Sequence, residues 1–197
     1  TQTRRVPRRA AFSRGQGRES CVEGRTLHGL RRGTRMIVKD VFISTIELAT
    51  WITSTYLNDL TDADLLIRPV PGMNHVAWQL GHLVLSEHEK VTSLGHRMPE
   101  LPAGFAAAHS KASANSDDPK KFATKAAYLA LMRRMHEGTI RAIKATPDAD
   151  FDKPGPEALR RYSPTIGSVF NLIGTHEFMH HGQIVALRRK LGKPVVI

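Results

Sequence analysis

His176 and His180 stand four residues apart inside the apolar stretch Ser163 to Leu191. In a helix that spacing puts the two imidazoles one above the other on one face. Such a pair can grip one divalent metal ion, as in the zinc helices of metalloproteases. The stretch reads as a single helix. Ser163 is a candidate N-cap with Pro164 at the first helical position, and Gly192 follows the end. Arg188, Arg189 and Lys190 fill the last turn, where cations suit the negative end of the macrodipole. Val169, Leu172, His176, His180, Gln183 and Leu187 share one face. A stripe that is apolar at its ends and polar in the middle predicts a polar pocket within a core. The chain holds ten histidines, so a chance pair is the competing reading, and the pair needs partners from other elements.

Three further helices are expected to position it. The first runs from about Val38 to Asn58, with Val41, Leu48 and Ile52 on one face and Phe42, Ile46 and Ala49 beside it. The second runs from His75 to Leu94, capped by Asn74. It carries an apolar stripe (Val76, Leu80, Leu83, Val84, Val91, Leu94) and a mixed one (His75, Trp78, Gln79, His82, Leu85, Ser86, Glu89). Large residues such as Trp78 and Leu85 usually pack, so this helix reads as buried on two sides with His82 facing the bundle interior. The third runs from Lys121 to Ala145, with Phe122, Ala126, Leu129, His136, Ile140 and Ile143 on one face and Met132 near it. There His136 is either a packed, hydrogen-bonded histidine or a further ligand. The connectors are residues 59–74, with a short helical turn opened by Thr61-Asp62-Ala63-Asp64, residues 95–121, with a turn near Phe105–His109, and residues 147–164, broken by Pro154, Gly155 and Pro156. No alternating strand pattern with hairpin signals and no internal repeat occurs. The expected fold is all-α, a four-helix bundle, an architecture that builds metal sites from side chains on facing helices.

Hydrophobic residues make up 41% and charged residues 24% of the chain, the balance of an ordinary soluble domain. No apolar run is long enough for a membrane span. A lone cysteine, Cys21, excludes an internal disulfide framework and fits a reducing, cytoplasmic setting. The net charge of +11 is unevenly placed: residues 1–35 hold ten arginines against two acids, leaving only +3 to the rest. This basic tail is expected to be disordered. It reads as a nucleic-acid-binding arm, a transit-like peptide, or a stretch upstream of a true start at Met36. Outside the tail nothing suggests nucleic acid, so residues 36–197 are the expected folded domain.

The string Trp78-Gln79-Leu80-Gly81-His82-Leu83, preceded by Arg68-Pro69-Val70-Pro71-Gly72-Met73-Asn74, resembles the second-helix signature of the DinB/YfiT-like superfamily. His176-x-x-x-His180-His181-Gly182-Gln183-Ile184, followed by Arg188-Arg189-Lys190-Leu191-Gly192-Lys193-Pro194, is similar to that family's last-helix signature. The resemblance spans residues 36–197. It implies a four-helix bundle, often a homodimer, in which His82, His176 and His180 hold a divalent metal ion, nickel or zinc. It also implies a small-molecule substrate and, for some relatives, a low-molecular-weight thiol such as bacillithiol or mycothiol. Three neutral imidazoles would leave the ion its full charge and an open position, the catalytic pattern, and would lower the pKa of a bound water or thiol toward neutrality. Around this set Glu177 is a weak candidate for general base or a surface charge. Glu89 could orient a ligand imidazole or be solvated. Gln183 could bond a bound water or simply pack. Two functions follow: a metal-dependent thiol S-transferase or hydrolase, and a non-catalytic metal-binding bundle acting in stress response or interaction.

Overall fold

The computed structural model describes residues 36–197; the tail expected over residues 1–35 lies outside the described residues. Six α-helices follow in order: α1 Val38–Leu57, α2 Asp62–Leu65, α3 Val76–Ser93, α4 Phe105–Ala108, α5 Lys125–Ala145 and α6 Ile166–Lys190. The long helices α1, α3, α5 and α6 make a four-helix bundle, with α1 packed on α5 and α6, and α3 packed on the same two from the other side. Among the described residues there is no β-strand, only an isolated bridge between Pro154 and Thr165. No described helix is long and apolar enough to cross a membrane.

Helix ends sit where backbone groups find partners, and this moves three expected starts. The N-cap of α6 is Thr165, not Ser163: Ser168 N donates to Thr165 Oγ1 at 3.2 Å, and Thr165 N donates back to Ser168 Oγ at 2.8 Å. Ser163 and Pro164 cannot open the helix because this stretch is extended, with Gly155 N bonding Pro164 O at 2.9 Å and Ile166 N bonding Lys153 O at 3.0 Å. The cap of α3 is His75 rather than Asn74, its Nδ1 accepting from Trp78 N at 3.1 Å. Helix α5 opens at Lys125 under Thr124, four residues late, because Pro119–Lys121 forms a separate 3₁₀ turn capped by Asp118. The turns at Asp62–Leu65 and Phe105–Ala108 fall where expected.

The buried faces differ from the expected ones by one residue on two helices. On α1 the core takes Phe42, Ile46, Ala49, Thr53, Tyr56 and Leu57, while Val41 and Leu48 are exposed. Two apolar stripes lie side by side on this helix, and close approach to α6 selects one. A Cβ at Gly174 would stand 2.7 Å from Thr45 Cγ2, so the two backbones nearly touch there. On α5 the core face carries Tyr128, Leu131, Met132, Met135, His136, Thr139, Ala142 and Ile143, while Ala126 is exposed. Helix α3 is buried on both sides, as its two stripes suggest. The segment after it covers the mixed stripe: Trp78 Nε1 donates to Ser113 Oγ at 3.2 Å, and His109 lies on the backbone of Gly81. That stripe is therefore not available to a second subunit.

A buried polar network crosses the centre of the bundle and touches all four long helices. His136 of α5 lies with Nε2 at 3.4 Å from both Glu87 of α3 and Glu177 of α6. Its Nδ1 is 2.8 Å from Thr50 Oγ1 of α1, whose hydroxyl is already donated to Ile46 O at 2.8 Å. Nδ1 must therefore donate as well, so both ring nitrogens carry protons and His136 is an imidazolium. Burial works against that charge, but Glu87 and the hydrogen bond to Glu177 outweigh it and raise the pKa to about 9. Burial pushes Glu177 up, yet its bonds to His136, His181 and Thr53 bring it down to about 2. Glu87 is raised by burial and accepts a 2.5 Å bond from Thr139 Oγ1. Thr53 Oγ1 donates to Glu177 and so accepts from His181 Nε2 at 2.7 Å, which leaves His181 Nδ1 buried without a partner.

Two outcomes follow from this packing. In Gly81→Ala the new Cβ would sit 1.9 Å from His109 Cδ2, and His109 bonds Tyr128 Oη at 2.7 Å and Phe105 O at 2.9 Å. Displacing that ring should cost about 2–4 kcal/mol, read as a lowered urea midpoint at unchanged slope. His136, with its pKa raised to about 9, contributes stability that is complete below the ordinary histidine value and is lost as pH rises through 9. Unfolding free energy should fall over that window by on the order of 3 kcal/mol, and His136→Gln should flatten the slope.

Candidate metal centre

His176 and His180 lie on the edge of α6 that faces α3, and His82 comes from α3 itself. One ring nitrogen from each lies within 4.8 Å of the other two. The ring centroids are 5.3 Å apart for His82 and His176, 5.7 Å for His82 and His180, and 5.0 Å for His176 and His180. The expected trio is thus brought to one point. Among the described residues it is the one group of histidine, cysteine or acidic side chains so arranged. His136 is not part of it, being held in the buried network.

The donor chemistry suits a divalent ion. A ligand imidazole must be neutral with one bare nitrogen. Burial, reinforced by the Lys90 charge and the other two rings, brings His176 down to about 3. Burial and the neighbouring His82 bring His180 down to about 4, and burial also lowers His82. Gln79 settles which nitrogen of His180 is free. Its Nε2 donates to Asn74 O at 2.7 Å, so its Oε1 faces His180 Nδ1 at 2.9 Å and accepts from it. Nδ1 therefore carries the proton and Nε2 the lone pair. The His82 ring is stacked on Trp78, centroids 4.8 Å apart and planes 7° apart. Ser86 Oγ is 3.4 Å from His176 Nδ1.

The supporting residues differ from those expected. Glu177 is neither a surface charge nor directed at the trio: it is 3% exposed and its carboxylate is committed to Thr53 and His136. Its place on α6, about 100° round from His176, sends it into the bundle centre. Glu89 is exposed at the rim of the cavity beside the trio and makes no hydrogen bond to a ligand ring. Gln183 is half-buried, with no bond to a described residue. The orienting amide is Gln79 instead. It sits three residues before His82 on the mixed stripe of α3, and that spacing, which aims it toward the last helix, is the signal that could have found it.

Beside the rings opens a cavity of about 850 Å³, of the size that takes a small organic molecule. His82 and His176 line it, with Leu85, Leu159, Leu172 and Tyr162 supplying apolar wall. His180 is buried behind them. The connector of residues 147–164 thus forms part of the wall.

Comparison with known proteins agrees with this architecture. The structure of a conserved protein from Enterococcus faecalis superposes with a TM-score of 0.60 at 16% identity, covering 81% of this chain and 100% of the other. YfiT from Bacillus subtilis, described as a probable metal-dependent hydrolase with an unusual four-helix bundle topology, superposes with a TM-score of 0.58 at 20% identity, covering 85% and 95%. At these identities the likeness shows a shared fold. No curated protein sequence gives a significant match. The sequence model of the DinB superfamily matches residues 46–184, which include all three histidines. The chain belongs to the DinB superfamily.

Proposed function

We propose that this protein is a divalent-metal-dependent enzyme in which His82, His176 and His180 hold the ion, and that it acts as a hydrolase or as a thiol S-transferase. The observation that carries the reading is the meeting of three neutral imidazoles at the wall of a cavity large enough for a small substrate. Family membership and the description of YfiT as a probable metal-dependent hydrolase support it. A zinc or nickel ion in an all-imidazole site keeps its double charge and supplies the Lewis acidity that makes water or a low-molecular-weight thiol nucleophilic near neutral pH. The chain's part is positional. Gln79 holds the His180 tautomer, and Trp78 fixes the plane of His82. The buried network holds Glu177 away from the rings, so the donor set stays neutral. The apolar wall of the cavity binds the substrate body and displaces water around the reacting atoms. A cytoplasmic homodimer fits this reading, and the exposed apolar residues Val41, Leu48 and Trp51 of α1 offer it a face.

Protein purified without a metal-affinity tag should carry about one divalent ion per chain by elemental analysis. His176→Ala and His82→Ala should each empty the site, and ligand substitutions that leave metal content untouched would sink the proposal. Gln79→Leu should weaken metal affinity by about 10- to 100-fold, read by competition with a chromogenic chelator, without loss of folded protein. A panel of thiols with monochlorobimane, alongside a panel of activated esters, separates S-transfer from hydrolysis. Loaded protein that turns over neither favours the non-catalytic metal-binding bundle.

A further inference from the structure

Lys90 is the charged group set deepest at the metal cavity. It lies one turn beyond Ser86 on α3 and lines the cavity together with His82 and His176. The side chain is half-buried, and its Nζ donates to Ser86 Oγ and, at 3.4 Å, to Ser86 O. Among the described residues no carboxylate lies within ion-pair distance of this ammonium. The two nearest acids act on it only from beyond ion-pair distance: Glu89 is exposed at the rim, and Glu87 is buried and committed to His136 and Thr139. Lys111, also exposed, is the other lysine on the cavity wall. The ammonium is close enough to the rings that, after burial, its charge is the next cause lowering the basicity of both His82 and His176.

At the cavity, then, the ammonium has no direct ion pair. Three neutral imidazoles neutralise nothing of a divalent ion, and Lys90 adds a further positive charge on the same cavity. A half-buried cation with no direct ion pair is costly and is relieved by an anion that binds beside it. We propose that Lys90, with the Ser86 hydroxyl, is a binding subsite for a monoanionic group, a carboxylate, on the substrate, whose apolar body lies against Leu85, Leu159, Leu172 and Tyr162. The inference rests on this cavity being the substrate site of the proposed enzyme, and it narrows that substrate to an amphipathic carboxylate. One ammonium and one hydroxyl match a single carboxylate, and a second negative charge would meet Glu89 at the rim. A charge-assisted hydrogen bond of this kind is about twice as strong as a neutral one, so loss of the ligand's charge should be felt strongly.

The test is calorimetric binding of phenylacetate and of phenylacetamide, which share shape and differ in charge, to the full chain as purified, with metal content measured on the same sample. Phenylacetate should bind about tenfold or more tighter than the amide. Lys90→Arg should keep that preference, and Lys90→Met, which keeps the stem and should fold normally by thermal unfolding, should reduce it below about twofold. In His176→Ala, emptied of metal, a preference for the carboxylate should persist. Equal binding of the two compounds, binding of neither, or a preference that survives Lys90→Met overturns the inference and leaves the metal assignment standing. A chain found without metal that still prefers the carboxylate through Lys90 overturns the metal assignment and leaves the subsite standing.

Discussion

The ion pair between His136 and Glu177 sets the rotation of the last helix, and the candidate metal centre depends on that rotation. Glu177 lies between His176 and His180 in sequence but projects in another direction, and its carboxylate is locked to the imidazolium of α5 and the hydroxyl of α1. With Glu177 pointing into the bundle centre, helical geometry sends His176 and His180 toward α3. A buried pair of this kind is weak evidence for stability, since desolvation offsets much of the attraction. Its value lies in direction. A rotation of α6 by one residue would strip the Glu177 carboxylate of its partners in the core and leave Glu87 alone to face the imidazolium, whereas a purely apolar seam would tolerate such a slip far more cheaply.

Two polar systems therefore lie back to back across α6. One is charged, fully buried and satisfied except at His181 Nδ1. The other is neutral, opens onto a cavity and has lone pairs to spare. Their separation keeps the carboxylates Glu87 and Glu177 from neutralising the charge of an ion at the three rings, and Lewis acidity is strongest when no anionic ligand offsets it. Part of the cavity wall comes from the segments between the long helices. His109, Ser110 and Lys111 follow α4, and Pro156 to Tyr162 precede α6. Loops of this length in a compact domain tend to carry function. Here they are anchored, one through Trp78–Ser113 and His109–Tyr128 contacts, the other through backbone bonds near Pro164.

How far the residues alone could be read differs by level. The four long helices and both short ones are legible because hydrophobic periodicity and capping residues are local signals. Helix ends are less so: Ser163-Pro164 has a good capping pattern, yet its backbone is engaged by residues 153–155, a contact no local window reveals. The core face of α1 could not be chosen from periodicity, since Val41 and Leu48 make as good a stripe as Phe42, Ile46 and Ala49. Glu177 reads as an ordinary helix-surface acid until its partners on two other helices are known.

By itself, then, the sequence determined the helical class, the approximate extent of each helix and the pairing of His176 with His180 on one face, because periodicity, capping and the i,i+4 relation are properties of a chain segment taken alone; His82 joined them only through the family resemblance. Only the tertiary structure decided which stripe of α1 and α5 turns inward, that Gln79 rather than Glu89 or Gln183 orients a ring, that Glu177 is spent on His136, and that Lys90 stands at the cavity without a direct ion pair. Each of those depends on which groups from other helices arrive within hydrogen-bonding distance, and that is settled by packing across the bundle.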